Sequence, residues 1–109
     1  MMATLVVDGR DIAHVEHARS FRARSKGLLG RTGVATGLAL EPASSVHTFG
    51  MAFVIDVAYV ARSGRVLAVT TMVPWRLGLP RWRCRWILET EAGRMAEWGI
   101  RPGAVVSLS

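Results

Sequence analysis

The stretch that decides the fold is FVIDVAYV, residues 53–60, an apolar run that a single carboxylate, Asp56, interrupts. β-Branched and aromatic residues in such a run are typical of a buried strand. Ser63 and Gly64 supply a turn after it, and a second apolar run follows at residues 66–73. The sequence therefore predicts an antiparallel hairpin in which these two runs pair.

Asp56 is the most conspicuous polar residue of this hairpin. Its neighbours Ile55 and Val57 predict burial, and an unpaired carboxylate in an apolar interior is costly. Because an arginine can form two parallel hydrogen bonds with a carboxylate, we expect Arg24 or Arg31 to be its partner. Buried ion pairs are more often structural than catalytic, so a structural role is the favoured interpretation.

The segment before the hairpin is VHTFGM, residues 46–51, and its sequence does not show which of its side chains point to the core. One unbroken strand from Val46 to Val60 would place His47 on the same face as Ile55 and Val57, because side chains alternate along a strand. A strand of that length is unusual, so we expect a bend near residues 50–54. The sequence leaves open whether His47 shares a face with Asp56.

Turn residues and alternating patterns place the other strands. Asp8 and Gly9 form the turn of a first hairpin. Three arginines alternate with Trp82, Cys84 and Trp86 in residues 81–86, which predicts a strand with one basic face and one apolar face. The predicted strands are 4–7, 12–16, 37–40, 46–49, 55–61, 66–73, 81–89 and 105–108.

Two helices are expected between these strands. The first begins after Ser20, a plausible N-cap, and ends at Gly30. Gly27 lies inside it, at a cost of about 1 kcal/mol relative to alanine. The second covers residues 92–98 and ends at Gly99. The predicted fold class is α+β, a mostly antiparallel sheet curled into a barrel or half-barrel with two short helices, in a single domain covering residues 1–109.

Composition narrows the class of protein. Half of the 109 residues are hydrophobic and 20% are charged, which is typical of one folded domain.

The longest apolar run falls short of the ~20 residues that a membrane helix needs, and no secretory signal opens the chain, so we expect a cytoplasmic protein. Cys84 is the single cysteine and predicts no internal disulfide. The net charge of +6 marks a basic protein, and modestly favours an acidic partner.

Short motifs are distributed along the whole chain, at residues 24–31, 37–42, 47–51, 55–59, 64–66, 74–75, 88–89, 92–93 and 99–103. Together these motifs resemble a known family, the bacterial and archaeal domain of unknown function number 192. The resemblance covers nearly the whole chain and implies a small, mainly antiparallel β fold with no agreed activity. Two residues depart from the family pattern: Val54 stands where the family often has proline, and Ala104 stands where it usually has aspartate. Many relatives carry an export signal or lipid anchor, and we find none in this sequence.

These observations predict a binding or accessory module with a shallow polar cleft near His47 and the first helix. The expected ligand is small and polar or anionic, with Arg24 or Arg31 fixing its charge and His47 forming one hydrogen bond. Binding is favoured over catalysis, and no catalytic residue is assigned. The candidate ligand-binding residues are Arg24, Arg31, His47, Thr48, Met51, Asp56, Trp75 and Glu89.

Two other functions remain as alternatives. The first is a small hydrolase-like enzyme in which His47, with Asp56 or Glu89, orients a base beside a hydroxyl nucleophile, although no nucleophile elbow is present. The second is binding of nucleic acid or another acidic surface through the strand face formed by residues 81–85. Alternation points the tryptophans away from the arginines, which makes nucleic acid unlikely.

Metal and cofactor binding are not expected. His14, His17, His47 and Cys84 could in principle ligate zinc, but a lone His-x-x-His at the end of a strand is a common accident. No glycine-rich segment leads from a strand into a helix at the spacing that nucleotide-binding loops require. We therefore predict neither a metal nor a cofactor.

Overall fold

The computed structural model describes residues 1–20, 23–24, 27–28, 30–31, 33–34 and 36–109. The elements that it places in these ranges are mainly strands. They are β1 (Met2–Val7), β2 (Arg10–Ala18), β3 (Leu38–Leu40), β4 (Ile55–Ala61), β5 (Val66–Met72), β6 (Cys84–Glu91), α1 (Arg94–Glu97) and β7 (Val106–Leu108).

The strands of the described ranges form one sheet in the order β5-β4-β6-β3-β2-β1-β7. Neighbouring strands are antiparallel except β2 and β3, which pair in parallel. The predicted barrel or half-barrel is wrong, because the sheet is open and its edges are β5 and β7. The start of β5 lies beside the segment that leads into β7: Arg65 forms an isolated bridge with Val105, and the Val66 N–H donates to the Ala104 carbonyl at 2.8 Å.

The predicted α+β class with two helices is also wrong, since the described chain is mostly β. The helix expected at 92–98 is reduced to the four residues of α1. Gly93, with φ 92°, delays its start, because a left-handed residue cannot belong to the helix. Its end is as predicted: Gly99 has φ 72°, and the Ile100 N–H donates to the Met95 carbonyl at 2.9 Å.

The first predicted helix falls partly on residues 21, 22, 25, 26 and 29, which lie outside the described residues. Where the structure is described, the Ala23 N–H donates to the Ser20 hydroxyl at 3.0 Å, as expected for an N-cap. Gly27 has φ 49°, so the regular right-handed helix predicted to run through it cannot do so.

Apolar side chains pack on both faces of the sheet, and β4 contributes to each. Ala58 and Val60 belong to one buried cluster, which α1 covers with Met95. We call this side the first face. Tyr59 and Val57 belong to the other cluster, which Val46 and Leu28 help to cover. That side is the second face, and the segments that cover it form the candidate site.

Local turns explain where β4 and β6 begin. The chain turns at Gly50, with φ 77°, and β4 starts at Ile55, which confirms the expected bend. The strand predicted at 46–49 is wrong, because only an isolated bridge joins His47 to Leu77. The strand predicted from residue 81 starts instead at Cys84, because a turn joins the Cys84 N–H to the Arg81 carbonyl at 2.9 Å.

Candidate functional site

Three rings form a surface on the segments that cover the second face. His47 stacks on Phe49 with 5.2 Å between ring centroids, and Phe49 lies 6.3 Å from Trp75. Phe49 and Trp75 are 42% and 65% exposed. We call His47, Phe49 and Trp75 the aromatic platform. Exposed aromatic rings in one group are characteristic of ligand or partner binding.

Thr48 fixes the backbone on which the platform is built. Its buried hydroxyl donates to the Val73 carbonyl at 2.7 Å and accepts from the Arg76 N–H at 2.8 Å. Its carbonyl accepts from the Trp75 N–H at 2.9 Å. Thr48 therefore joins the two segments 46–51 and 73–79, and its hydroxyl is directed away from solvent.

Trp75 has a backbone conformation that is rare for a bulky residue. Its φ of 65° lies in the left-handed region. A non-glycine side chain there costs about 1–3 kcal/mol and persists only where its surroundings impose it. The hydrogen bond from Trp75 to Thr48 supplies part of that constraint. The strain is stored where the largest platform ring is presented to solvent.

A cavity of about 340 Å³ lies beside the same loop. Tyr59, Arg76 and Arg81 line it, and the Arg81 guanidinium lies 4.6 Å above the Tyr59 ring. Burial raises the pKa of the Tyr59 hydroxyl, which keeps the phenol protonated. The loop approaches so closely that a Cβ on Gly78 would lie 2.6 Å from the Tyr59 oxygen. Glycine is therefore required at position 78 for this arrangement.

Glu89 is a buried carboxyl elsewhere on the second face. It lies on β6 between Leu38 and Val57, is 3% exposed, and accepts no hydrogen bond from the described residues. Burial raises its pKa from 4.5 to about 7, against the opposing effect of the Arg31 charge, because an apolar interior disfavours the charged form. Its Oε1 atom would lie 4.0 Å from a Cβ placed on Gly27, so Gly27 lies beside it.

Arg31 is held in place by another carboxylate, Glu16. The Arg31 guanidinium donates to both Glu16 oxygens, at 3.0 and 2.9 Å. These hydrogen bonds lower the pKa of Glu16 and raise that of Arg31, as expected for a bidentate charged pair. Arg31 therefore acts on Glu89 through its charge while its direct hydrogen bonds go to Glu16.

Asp56 lies on the first face, away from these groups. Its burial is confirmed, at 5% exposed. The prediction of an arginine partner is wrong for the hydrogen bonds that the structure shows. The Thr71 hydroxyl donates to Asp56 at 2.7 Å, and the Gly93 N–H donates to it at 2.9 Å. Neutral donors stabilise the carboxylate without a cation. Asp56 instead lines a separate groove of about 480 Å³ beside α1.

The structure thus separates the eight predicted site residues. His47, Thr48 and Trp75 come together in the platform, and Arg31 lies near Glu89. Met51 is buried in the apolar cluster of the second face, and Arg24 donates to the Pro42 carbonyl at 3.2 Å. The residues that sequence analysis missed are Phe49, Tyr59 and Arg76, and Arg81 was assigned to a different surface, the strand face formed by residues 81–85. The alternation of His47 with Phe49 was an available signal for the platform, whereas nothing local indicates the cavity.

The structure does not bring together His47 and Asp56, one of the two pairs proposed for a hydrolase-like enzyme. Val46 and Met51 flank His47 and pack on the second face, whereas Asp56 is on the first. His47 is exposed, and its described contacts are with Phe49 and Leu77. Within the described ranges no group of three or more histidine, cysteine, aspartate or glutamate residues could hold a metal ion. His17 instead lies 2.8 Å from a Glu41 oxygen.

The arginine-rich segment also differs from expectation. Cys84 and Trp86 are buried, as predicted, but Trp82 is 86% exposed because the turn at 81–84 breaks the alternation. The Arg83 guanidinium lies 4.7 Å above the Trp82 ring. This exposed pair removes the geometric objection to nucleic-acid binding by this surface.

Comparison with protein families identifies the family to which this chain belongs. The model of the DUF192 family, described as "Uncharacterized ACR", matches residues 3–108, and this chain belongs to that family. A curated relative is a UPF0127 protein from Pyrococcus horikoshii, 42% identical over 50 residues. That match spans 46% of this chain and 44% of the relative, so it covers less than half the length of the curated protein.

Two solved structures show the same fold. A protein of unknown function from Novosphingobium aromaticivorans has a TM-score of 0.81 at 24% identity, over 97% of this chain and 84% of that one. A Sinorhizobium meliloti protein described as a "putative transcription regulator" has a TM-score of 0.83 at 19% identity, over 99% of this chain and 94% of that one. At such identities the likeness concerns the fold alone. The helix in the described ranges is too short to cross a membrane.

Proposed function

We propose that this chain is a binding module that holds a small polar ligand on the aromatic platform without turning it over. The observation that carries the proposal is the strained, exposed Trp75, which the Thr48 hydrogen bonds hold in position. A site whose backbone is already fixed loses less conformational entropy on binding. Strain retained beneath an exposed ring is consistent with such preorganisation.

The chemistry of the platform favours a ligand with a ring or another flat apolar face and hydroxyl groups, such as a sugar. Phe49 and Trp75 offer apolar faces, and His47 offers one directed hydrogen bond. The Phe49 N–H donates to His47 Nδ1 at 3.3 Å, so the neutral imidazole carries its proton on Nε2. That N–H is the donor available to a ligand oxygen.

A thermal-shift screen against metabolites and oligosaccharides tests the proposal. A ligand at 100 times its Kd stabilises the native protein by about 2.7 kcal/mol. We expect Trp75→Ala and His47→Ala to fold and to lose this stabilisation, while Trp82→Ala, which removes another exposed tryptophan elsewhere, retains it. Retained stabilisation in Trp75→Ala, or unfolding of His47→Ala, would contradict the proposal.

The exposed Trp82 supports a second candidate, binding of single-stranded nucleic acid. Bases stack on an exposed indole while nearby arginines neutralise phosphates, and Arg83 already lies over the ring. A labelled oligothymidine in fluorescence anisotropy should bind more weakly to Trp82→Ala and lose affinity steeply between about 50 and 200 mM salt. Salt-independent binding, or none, argues against this function.

A further inference from the structure

We propose that the cavity between Tyr59, Arg76 and Arg81 is a binding site for a small organic anion, a carboxylate or a phosphate ester. This site goes beyond the aromatic platform, because none of the three platform residues lines it. Its walls come from β4, β5, the loop and the turn that precedes β6.

The first argument is charge. Arg76 and Arg81 both line the cavity, and no aspartate or glutamate of the described ranges lines it. Among the described residues, the ion pairs of arginines with carboxylates involve Arg31, Arg85 and Arg94. Neither Arg76 nor Arg81 takes part in them. Two guanidinium groups without a described carboxylate partner at one concave surface form a complementary site for an anion.

The second argument is the mixture of groups around the two cations. The Tyr59 phenol is protonated and can donate a hydrogen bond, and Thr70 brings a hydroxyl from β5. Met72, Leu77 and Leu79 supply apolar surface at the same cavity. A bare inorganic ion would leave that surface in water, whereas an organic anion would cover it.

The third argument is size. The cavity of about 340 Å³ is at the lower end of the range of small-molecule sites. Its volume corresponds to about ten water molecules of the liquid. An anion with a single ring matches this volume. Benzoate and phenyl phosphate are therefore suitable probes, and benzamide is the neutral analogue of benzoate with nearly the same shape.

Titration calorimetry at low ionic strength tests the site on the full chain. We expect saturable binding of benzoate or phenyl phosphate and no binding of benzamide. The anion that binds with the higher affinity shows whether the site prefers a carboxylate or a phosphate ester. Arg76→Ala should weaken binding by about tenfold, the loss expected for one charge-assisted hydrogen bond. Arg62→Ala is the matched control, because it removes another exposed arginine from the β4–β5 turn, and it should change the affinity less than twofold.

Arg81 packs on Tyr59, so its removal could disturb the fold. Arg81→Lys preserves the charge and is expected to weaken binding through loss of the planar donor pair. The proposal is overturned if neither anion binds, if benzamide binds as well as benzoate, or if Arg62→Ala weakens binding as much as Arg76→Ala.

Discussion

Asp56 and Glu89 are two buried carboxyl groups on adjacent, paired strands, yet they have opposite surroundings. Asp56 is paired with Thr90 and Glu89 with Val57 in the β4–β6 ladder. Because these pairs are neighbours and side chains alternate along a strand, the two carboxyl groups project from opposite faces of the sheet. Asp56 accepts hydrogen bonds from Thr71 and Gly93, whereas Glu89 accepts none from the described residues. Similar burial therefore accompanies a hydrogen-bonded carboxyl group on one face and a group with a strongly raised pKa on the other.

The largest effect is expected from removing the satisfied carboxylate. Asp56→Ala leaves the Thr71 hydroxyl and the Gly93 N–H without their acceptor, and we expect a loss of about 4 kcal/mol of unfolding free energy. Urea denaturation at pH 7 measures it, with the exposed Asp11→Ala as control. A loss below about 1 kcal/mol would show that the two hydrogen bonds contribute little.

Replacing Glu89 should change the free energy of unfolding in the opposite direction to replacing Asp56, and the size of the change should depend on pH. Its folded pKa of about 7 exceeds the ordinary value of 4.5, so the native state retains a proton that the unfolded state releases. The stability that this provides is fully present below pH 4.5 and is lost as the pH rises through 7. A difference of this size is equivalent to about 3 kcal/mol.

Glu89→Gln tests this expectation, because glutamine mimics the protonated carboxyl. The variant should match the wild type near pH 4.5 and exceed its unfolding free energy by up to about 3 kcal/mol at about pH 8. Denaturation at several pH values measures both proteins, so that other titrating groups cancel in the comparison. A constant difference across this range would mean that Glu89 does not hold its proton.

A smaller effect is expected at the platform. Trp75→Gly removes the strain of a bulky residue at positive φ. We expect this to offset the larger entropy that glycine gives the unfolded chain, so that the free energy of unfolding is unchanged or raised by about 1 kcal/mol. Trp82 has no positive φ, and Trp82→Gly should lower stability by a comparable amount. Thermal melts of both variants provide the measurement. Equal destabilisation of the two would indicate that Trp75 stores no strain.

The last prediction concerns the reactivity of Cys84, on the second face, and involves no change in stability. Burial raises the pKa of its thiol, which disfavours the reactive thiolate. A thiol reagent should label the native protein much more slowly than protein unfolded in urea. Rapid native labelling would show that the start of β6 opens to solvent.

Local chemistry made part of the fold predictable. Asp8 and Gly9 have φ values of 49° and 82°, and Gly64 has 92°, so the hairpins follow from the conformations that turn residues favour. The open sheet was not predictable in this way, since the parallel pairing of β2 with β3 joins distant segments. Trp82 was misplaced because a turn interrupts the alternation on which its assigned face depended.

The candidate site shows the same division. His47 and Trp75 could be singled out because they stand beside the Gly50 bend and Pro74. The donors to Asp56 could not, since one of them is the backbone N–H of Gly93 and composition does not reveal where a backbone group will lie. Arg31 was assigned to the wrong carboxylate because Glu16 meets it only once β2 is in the sheet.

The pairing of β1 with β7 has a consequence for how the chain acquires its structure. Leu5 is opposite Leu108, so this contact joins residues separated by nearly the full sequence. The β1–β2 and β4–β5 hairpins can form early from neighbouring residues, whereas contacts over such separations are slow because a large loop must first close. During synthesis, a ribosome must deliver residues 106–108 before β1 gains its second neighbour, and until then a strand edge near the N-terminus stays open to other chains.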